Sequence, residues 1–152
     1  MGPRLLFVCL FIISFSYSQK ELSPYIIVLG TIQDAGSPHM GCEKSCCISL
    51  FENPDLNRKV VSLGLVDPIE KKYWLIEASP DFITQCRELK KTSGFEHVKS
   101  PDGIFLTHAH IGHYTGLMFL GKESYNSRDV PVFAMTRMKG FLIKNGPWSQ
   151  LF

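Results

Sequence analysis

Apolar residues along this chain gather into short runs separated by polar, glycine- or proline-bearing segments. Tyr25-Ile26-Ile27-Val28-Leu29 is a β-branched run stopped by Gly30, which predicts a buried strand entering a glycine-bearing loop. Val60 to Val66 and Tyr73 to Glu77 are two further apolar segments joined by the polar stretch Asp67 to Lys72, so they predict an antiparallel hairpin. A helix is predicted immediately afterwards, with Ser79 accepting from the first turn, Pro80 in the first helical position and Asp81 at the positive end of the dipole. Phe82, Ile83, Cys86 and Leu89 would share its buried face, which makes Cys86 a core residue. Ile104-Phe105-Leu106 predicts a fourth strand, followed by a helix holding His113, Leu117 and Leu120. Val130 to Met135 predicts a fifth strand, and Thr136 is placed to cap a helix from Arg137 to Asn145, closed by a left-handed Gly146 and by Pro147. Met135 and Met138 read as core packing rather than thioether ligands. Strands alternating with helices after an initial hairpin predict a layered α/β fold.

The first eighteen residues stand apart from this pattern. A short basic start containing Arg4, an apolar stretch from Leu5 to Phe15 and the small residues Ser16 and Ser18 ahead of Gln19 have the form of a secretory signal peptide. The apolar run is about half of the roughly 20 residues that a spanning helix needs. The expectation is therefore a signal peptide over 1–18 and one exported domain over 19–152, secreted or periplasmic, with no membrane attachment after cleavage.

Composition narrows the function classes. With 45% hydrophobic and 20% charged residues, the chain can bury a core without covalent staples. Beyond residue 18 it keeps 15 of its 16 basic side chains against all 14 acidic ones, so no basic surface is available to neutralise a phosphate backbone and nucleic acid is not an expected partner. A small-molecule substrate is.

Two constellations carry candidate chemistry. His108, His110 and His113 lie within six residues, at the end of a predicted strand and the start of a helix, where open α/β sheets place their sites. Side chains two apart in an extended segment point the same way, so His108 and His110 are expected to converge on one ion, with His113 facing it or a neighbouring ion. Neutral imidazole suits Zn²⁺ or Fe²⁺. Cys42, Cys46 and Cys47 form the second constellation, three thiols in one loop that can bind a structural zinc, with His39 as a candidate fourth ligand. In an oxidising compartment, disulfides among Cys42, Cys46, Cys47 and Cys86 compete with that reading, as do free buried thiols. Asp34, in the loop after the first strand, reads as a turn residue satisfying backbone amides rather than one that approaches the histidines. His97 reads as a solvated bystander.

Leu106-Thr107-His108-Ala109-His110-Ile111-Gly112-His113 resembles the His-x-His-x-Asp-His signature of the metallo-β-lactamase fold superfamily. Leu29-Gly30-Thr31 with Gly36, and Leu75-Ile76-Glu77-Ala78-Ser79-Pro80-Asp81, resemble motifs of the branch that contains transfer-RNA 3′-processing nucleases and the pyrroloquinoline quinone biosynthesis protein B family, with Glu77 in place of a structural Asp. Arg137-Met138 and Asn145 to Gln150 are also similar to the latter family. The resemblance implies a four-layer αβ/βα sandwich of two similar halves, of which this chain would be the N-terminal one, with the later ligands of the family pattern absent. It also implies a cysteine-held structural zinc in the loop of Cys42, Cys46 and Cys47. Gly112 stands where the second metal's Asp would be, so one ion is expected in preference to two. The function implied is an exported metal-dependent hydrolase that activates water at a His-bound zinc. The alternatives are an oxygen-using Fe²⁺ enzyme similar to the quinone biosynthesis family and a metal-binding module without catalysis.

Overall fold

The computed structural model describes residues 22–152, so the predicted signal segment over 1–18 lies outside the described residues. Five strands, β1 (Tyr25–Gly30), β2 (Ser62–Asp67), β3 (Lys72–Ile76), β4 (Gly103–Phe105) and β5 (Val132–Phe133), form one mixed sheet in the order β1-β2-β3-β4-β5. The pairings β1–β2 and β2–β3 are antiparallel, which confirms the predicted hairpin, and β3–β4 and β4–β5 are parallel. Parallel neighbours need crossovers long enough to hold helices. The first contains α2 (Phe82–Ser93), and the second contains α3 (Ile111–Tyr114) with a 3₁₀ segment over Thr115–Leu120. α4 (Thr136–Lys144) and a 3₁₀ turn over Trp148–Leu151 follow β5.

These helices cover one face of the sheet. Val66, Tyr73, Leu75 and Ile104 on the strands bury against Phe82 and Leu89 of α2, Leu117 and Leu120 of the 3₁₀ segment, and Met138 and Leu142 of α4. The other face stays open. Val28, Leu63, Ile76, Phe105 and Phe133 are paired in register across all five strands, which places their side chains on one side. Val28 and Phe133 are 60% and 48% exposed, and the Phe105 and Phe133 rings stack at 4.6 Å between centroids.

Several local expectations are corrected. The loop of Cys42 to Cys47 enters a helix, α1 (Ser45–Glu52), that contains Cys46 and Cys47. α2 begins two residues after Pro80, and Asp81 stands at its N-cap, at the positive end of the helix as expected, with its carboxylate accepting from Val60 N at 2.8 Å and so fastening the strand entry. Ile83 is exposed, and the third buried residue of α2 besides Phe82 and Leu89 is Gln85, because this side chain bonds the main chain where an apolar one could not. Its Nε2 donates to Val60 O at 2.7 Å and Leu29 O at 3.4 Å, while its Oε1 accepts from Ser79 Oγ at 2.6 Å. Thr136 is the first residue of α4, not its cap, and the helix ends on Asn145 in an extended conformation, so Gly146 has no left-handed role. Met138 is core, but Met135 is 75% exposed because the fifth strand covers only two residues and releases the chain before it.

Candidate metal centre

The three histidines sit at the carboxyl end of β4. Leu106 N still donates to Phe133 O at 2.9 Å, after which the chain runs over Thr107 to His110 and turns into α3, where His113 N donates to His110 O at 2.9 Å. Ala78 N donates to His113 O at 2.9 Å, so the helical turn is fastened to the segment leaving β3. That segment begins with Glu77, whose φ of 73° is a left-handed conformation uncommon for a residue with a side chain. The turn points a buried carboxylate, 4% exposed, beneath the histidines.

Glu77 organises two of the three rings. Its Oε1 accepts from Thr107 N at 3.2 Å and from the Thr107 hydroxyl. With its one proton committed to Glu77, that hydroxyl accepts from His108 Nδ1 at 2.8 Å, which places the proton of neutral His108 on Nδ1 and leaves Nε2 as the lone-pair donor. Glu77 Oε2 lies 3.5 Å from His113 Nδ1, a buried nitrogen with no formed hydrogen bond. A carboxylate behind one imidazole nitrogen is the arrangement that orients a ligating histidine and raises its basicity. The His108 and His113 rings are 4.0 Å apart between centroids, and one ligand atom from each of Glu77, His108 and His113 fall within 4.8 Å of one another, close enough to hold an ion.

His110 takes the outer position. Its ring is 4.7 Å from that of His108 and 6.5 Å from that of His113, and its side chain is 73% exposed. His108 is therefore central, with His113 its nearer neighbour and His110 on the outer side. Asp34 lies in the turn that Gly36 N closes on Gln33 O, but its carboxylate satisfies no turn amide. The turn amide of Ala35 is taken by Gln33 Oε1 at 3.2 Å, and Asp34 Oδ2 faces His110 Nδ1 at 3.8 Å.

Cys42, Cys46 and Cys47 come together as the second cluster, with their sulfurs within 4.8 Å of one another. All three are unpaired, and the adjacent Cys46 and Cys47 sulfurs are 4.0 Å apart. His39 is exposed and turns Nδ1 toward Met40 O at 3.1 Å, outside this group. Cys86 belongs to neither cluster. It is half-buried beside a cavity of about 240 Å³ lined by Phe82, Phe119 and Tyr125, and burial pushes its thiol up to about 12. His97 is exposed, as expected.

Comparison of this chain with known proteins gives its family. Residues 72–150 match the family described as Beta-lactamase superfamily domain. The chain belongs to that superfamily. It is similar to the zinc-bound PqqB of Methylobacterium extorquens, with a TM-score of 0.62 and 21% identity over 83% of this chain and 45% of that one. It is also similar to a diphosphatase of the PhnP family, with a TM-score of 0.55 and 25% identity over 79% of this chain and 44% of that one. An octanoyltransferase of Porphyromonas gingivalis is 32% identical over 108 residues, 71% of this chain and 20% of that protein. The chain thus spans less than half the length of the two solved neighbours and a fifth of the curated relative.

Proposed function

We propose that this chain carries the metal-binding half of an exported metal-dependent hydrolase acting on a small molecule. The observation behind this reading is the shared carboxylate: Glu77 reaches His113 directly and His108 through Thr107, so both rings are backed from below. The donors suit a divalent ion, since neutral imidazoles are good zinc ligands and a buried nitrogen without a partner is oriented by a carboxylate. When bound, the ion supplies a Lewis acid that brings the pKa of its water toward about 7.

The protein's own work is positional. Thr107 and Glu77 hold His108 in the tautomer that offers Nε2, Glu77 faces the inner nitrogen of His113, and the bonds from Ala78 and His113 main chain keep α3 against the end of β3. Gly112 is buried, and its missing side chain lets the loop of Asp34 pack against α3. Zinc is the proposed ion and the cysteine cluster a proposed second, structural zinc site, in line with its three gathered sulfurs. The segment over 1–18 supports export, and the balanced charge supports a substrate that is not nucleic acid.

Likeness to a diphosphatase makes phosphoester and phosphoanhydride bonds the first substrates to try. In the full-length protein loaded with zinc, hydrolysis of a chromogenic phosphodiester should stop on chelation, return with added zinc, and be absent from His108→Ala. Hydrolysis that survives both the chelator and the substitution would overturn the reading.

A further inference from the structure

The loop after β1 carries the observation that the proposed function does not use. A Cβ built on Gly112 would lie 2.3 Å from Asp34 O, 2.5 Å from Asp34 Cβ and 2.6 Å from Asp34 Cα. Contacts this short with main chain cannot be relieved by a rotamer change, so the space that a side chain at position 112 would need is filled by Asp34 itself. The loop is held there by main-chain bonds. Thr31 N and Ile32 N both donate to Lys59 O, Val61 N donates to Ile32 O at 2.8 Å, and Gly36 N closes a turn on Gln33 O at 3.0 Å.

Asp34 therefore reaches the histidines by a fixed route, and its carboxylate ends beside His110. The separation of 3.8 Å between Asp34 Oδ2 and His110 Nδ1 is longer than a hydrogen bond, which runs to about 3.2 Å. It is close to the spacing of two donors on one ion. Ligands about 2.0–2.2 Å from a tetrahedral zinc stand about 3.3–3.5 Å apart, so a shift of a few tenths of an ångström brings this pair to a shared metal. Glu77 cannot take this role for His110, because it is engaged beneath Thr107 and His113.

We propose that Asp34 is a metal-ligating carboxylate of the histidine centre, delivered from the β1–α1 loop through the opening that Gly112 leaves and binding on the outer side beside His110. The inference rests on the histidine-centre reading. It adds an anionic oxygen donor to the imidazoles and makes the loop after the first strand part of the site.

Cobalt(II) titration of the full-length protein, followed by absorption spectroscopy, separates the two claims. Asp34→Ala should weaken cobalt and zinc binding at the histidine centre by about tenfold or more while leaving the far-ultraviolet circular dichroism unchanged. Asp34→Cys should add a thiolate-to-cobalt charge-transfer band to whatever the native cysteines contribute, and His108→Ala in that background should remove the added band. A residue that only braced the loop would give no such band, so wild-type affinity in Asp34→Ala, or Asp34→Cys without new charge-transfer intensity, would overturn the proposal. If Asp34→Ala does not fold, the Asp34→Cys spectrum decides it alone. Cobalt binding unaffected by His108→Ala would instead defeat the histidine-centre reading itself.

Discussion

Glu77 concentrates three separate demands at one residue. A positive φ in a residue with a side chain costs on the order of 1 kcal/mol or more, and burying a carboxylate adds to that unless it is hydrogen-bonded. Both are compensated by the bonds it accepts from Thr107 and by the Glu77 N to Phe105 O bond of 2.8 Å that ties the two strand ends together. Glu77→Gln keeps the size but turns an amide donor toward either Thr107 or His113 Nδ1. It should weaken metal binding at the histidine centre by about 10- to 100-fold, read by competition with a chromogenic chelator, with the fold retained; unchanged affinity would remove Glu77 from the site. The histidines themselves were legible because their spacing at i, i+2 and i+5 coincides with a strand end. Thr107 was not, since a threonine there looks like any polar residue leaving a strand, and its value comes only from a hydroxyl placed between Glu77 and His108. The side of the cluster on which each ring falls was also hidden, because it depends on where α3 begins.

Elements show the same division between pattern and tertiary detail. The hairpin, the strand before the histidines and the helix after Glu77 follow from apolar runs, whereas β5 shrinks to Val132–Phe133 because a short parallel edge pairing ends where the chain must turn into α4. Gln85 escaped notice because a glutamine on an apolar helix face looks like an interruption. It satisfies the carbonyls of Leu29 and Val60, where the β1 exit meets the Ile32–Val60 bridge, and so braces the loop that holds Asp34. α1 was missed because closely spaced cysteines read as loop chemistry, yet its first turn gathers Cys46 and Cys47 toward Cys42.

The thiols of these two helices should behave differently. Burial raises Cys86 from an ordinary thiol value near 9 to about 12, so the folded state favours the protonated form. Its contribution to stability is fully present below about pH 9 and is lost as pH rises toward 12. Alkylation of the metal-free native protein at pH 8, followed by peptide mass spectrometry, should therefore label exposed Cys46 well before Cys86, and added zinc should protect Cys42, Cys46 and Cys47 together. Equal labelling of Cys46 and Cys86 would contradict the burial, and labelling of the trio indifferent to zinc would contradict the proposed cysteine site.

At the scale of the molecule, one sheet carries helices on one face and an apolar row from Val28 to Phe133 on the other. That asymmetry was not legible from apolar runs, which show that strands are hydrophobic but not what covers each side. The layered α/β class was legible from the alternation of elements, and both candidate clusters, of histidines and of cysteines, were legible in outline from their spacing within short windows. Among the described residues no helix is long and apolar enough to cross a membrane. The two clusters lie on different elements and use different donors, imidazole with carboxylate against thiolate, so they can be emptied separately. That independence gives the most direct test of the central claim. Full-length protein exchanged into metal-free buffer and reloaded with zinc should, by elemental analysis, lose its histidine-centre equivalent when His108 and His110 are both replaced by Ala, while keeping zinc bound by Cys42, Cys46 and Cys47. Total zinc unchanged by the double substitution would contradict a metal centre built on these histidines.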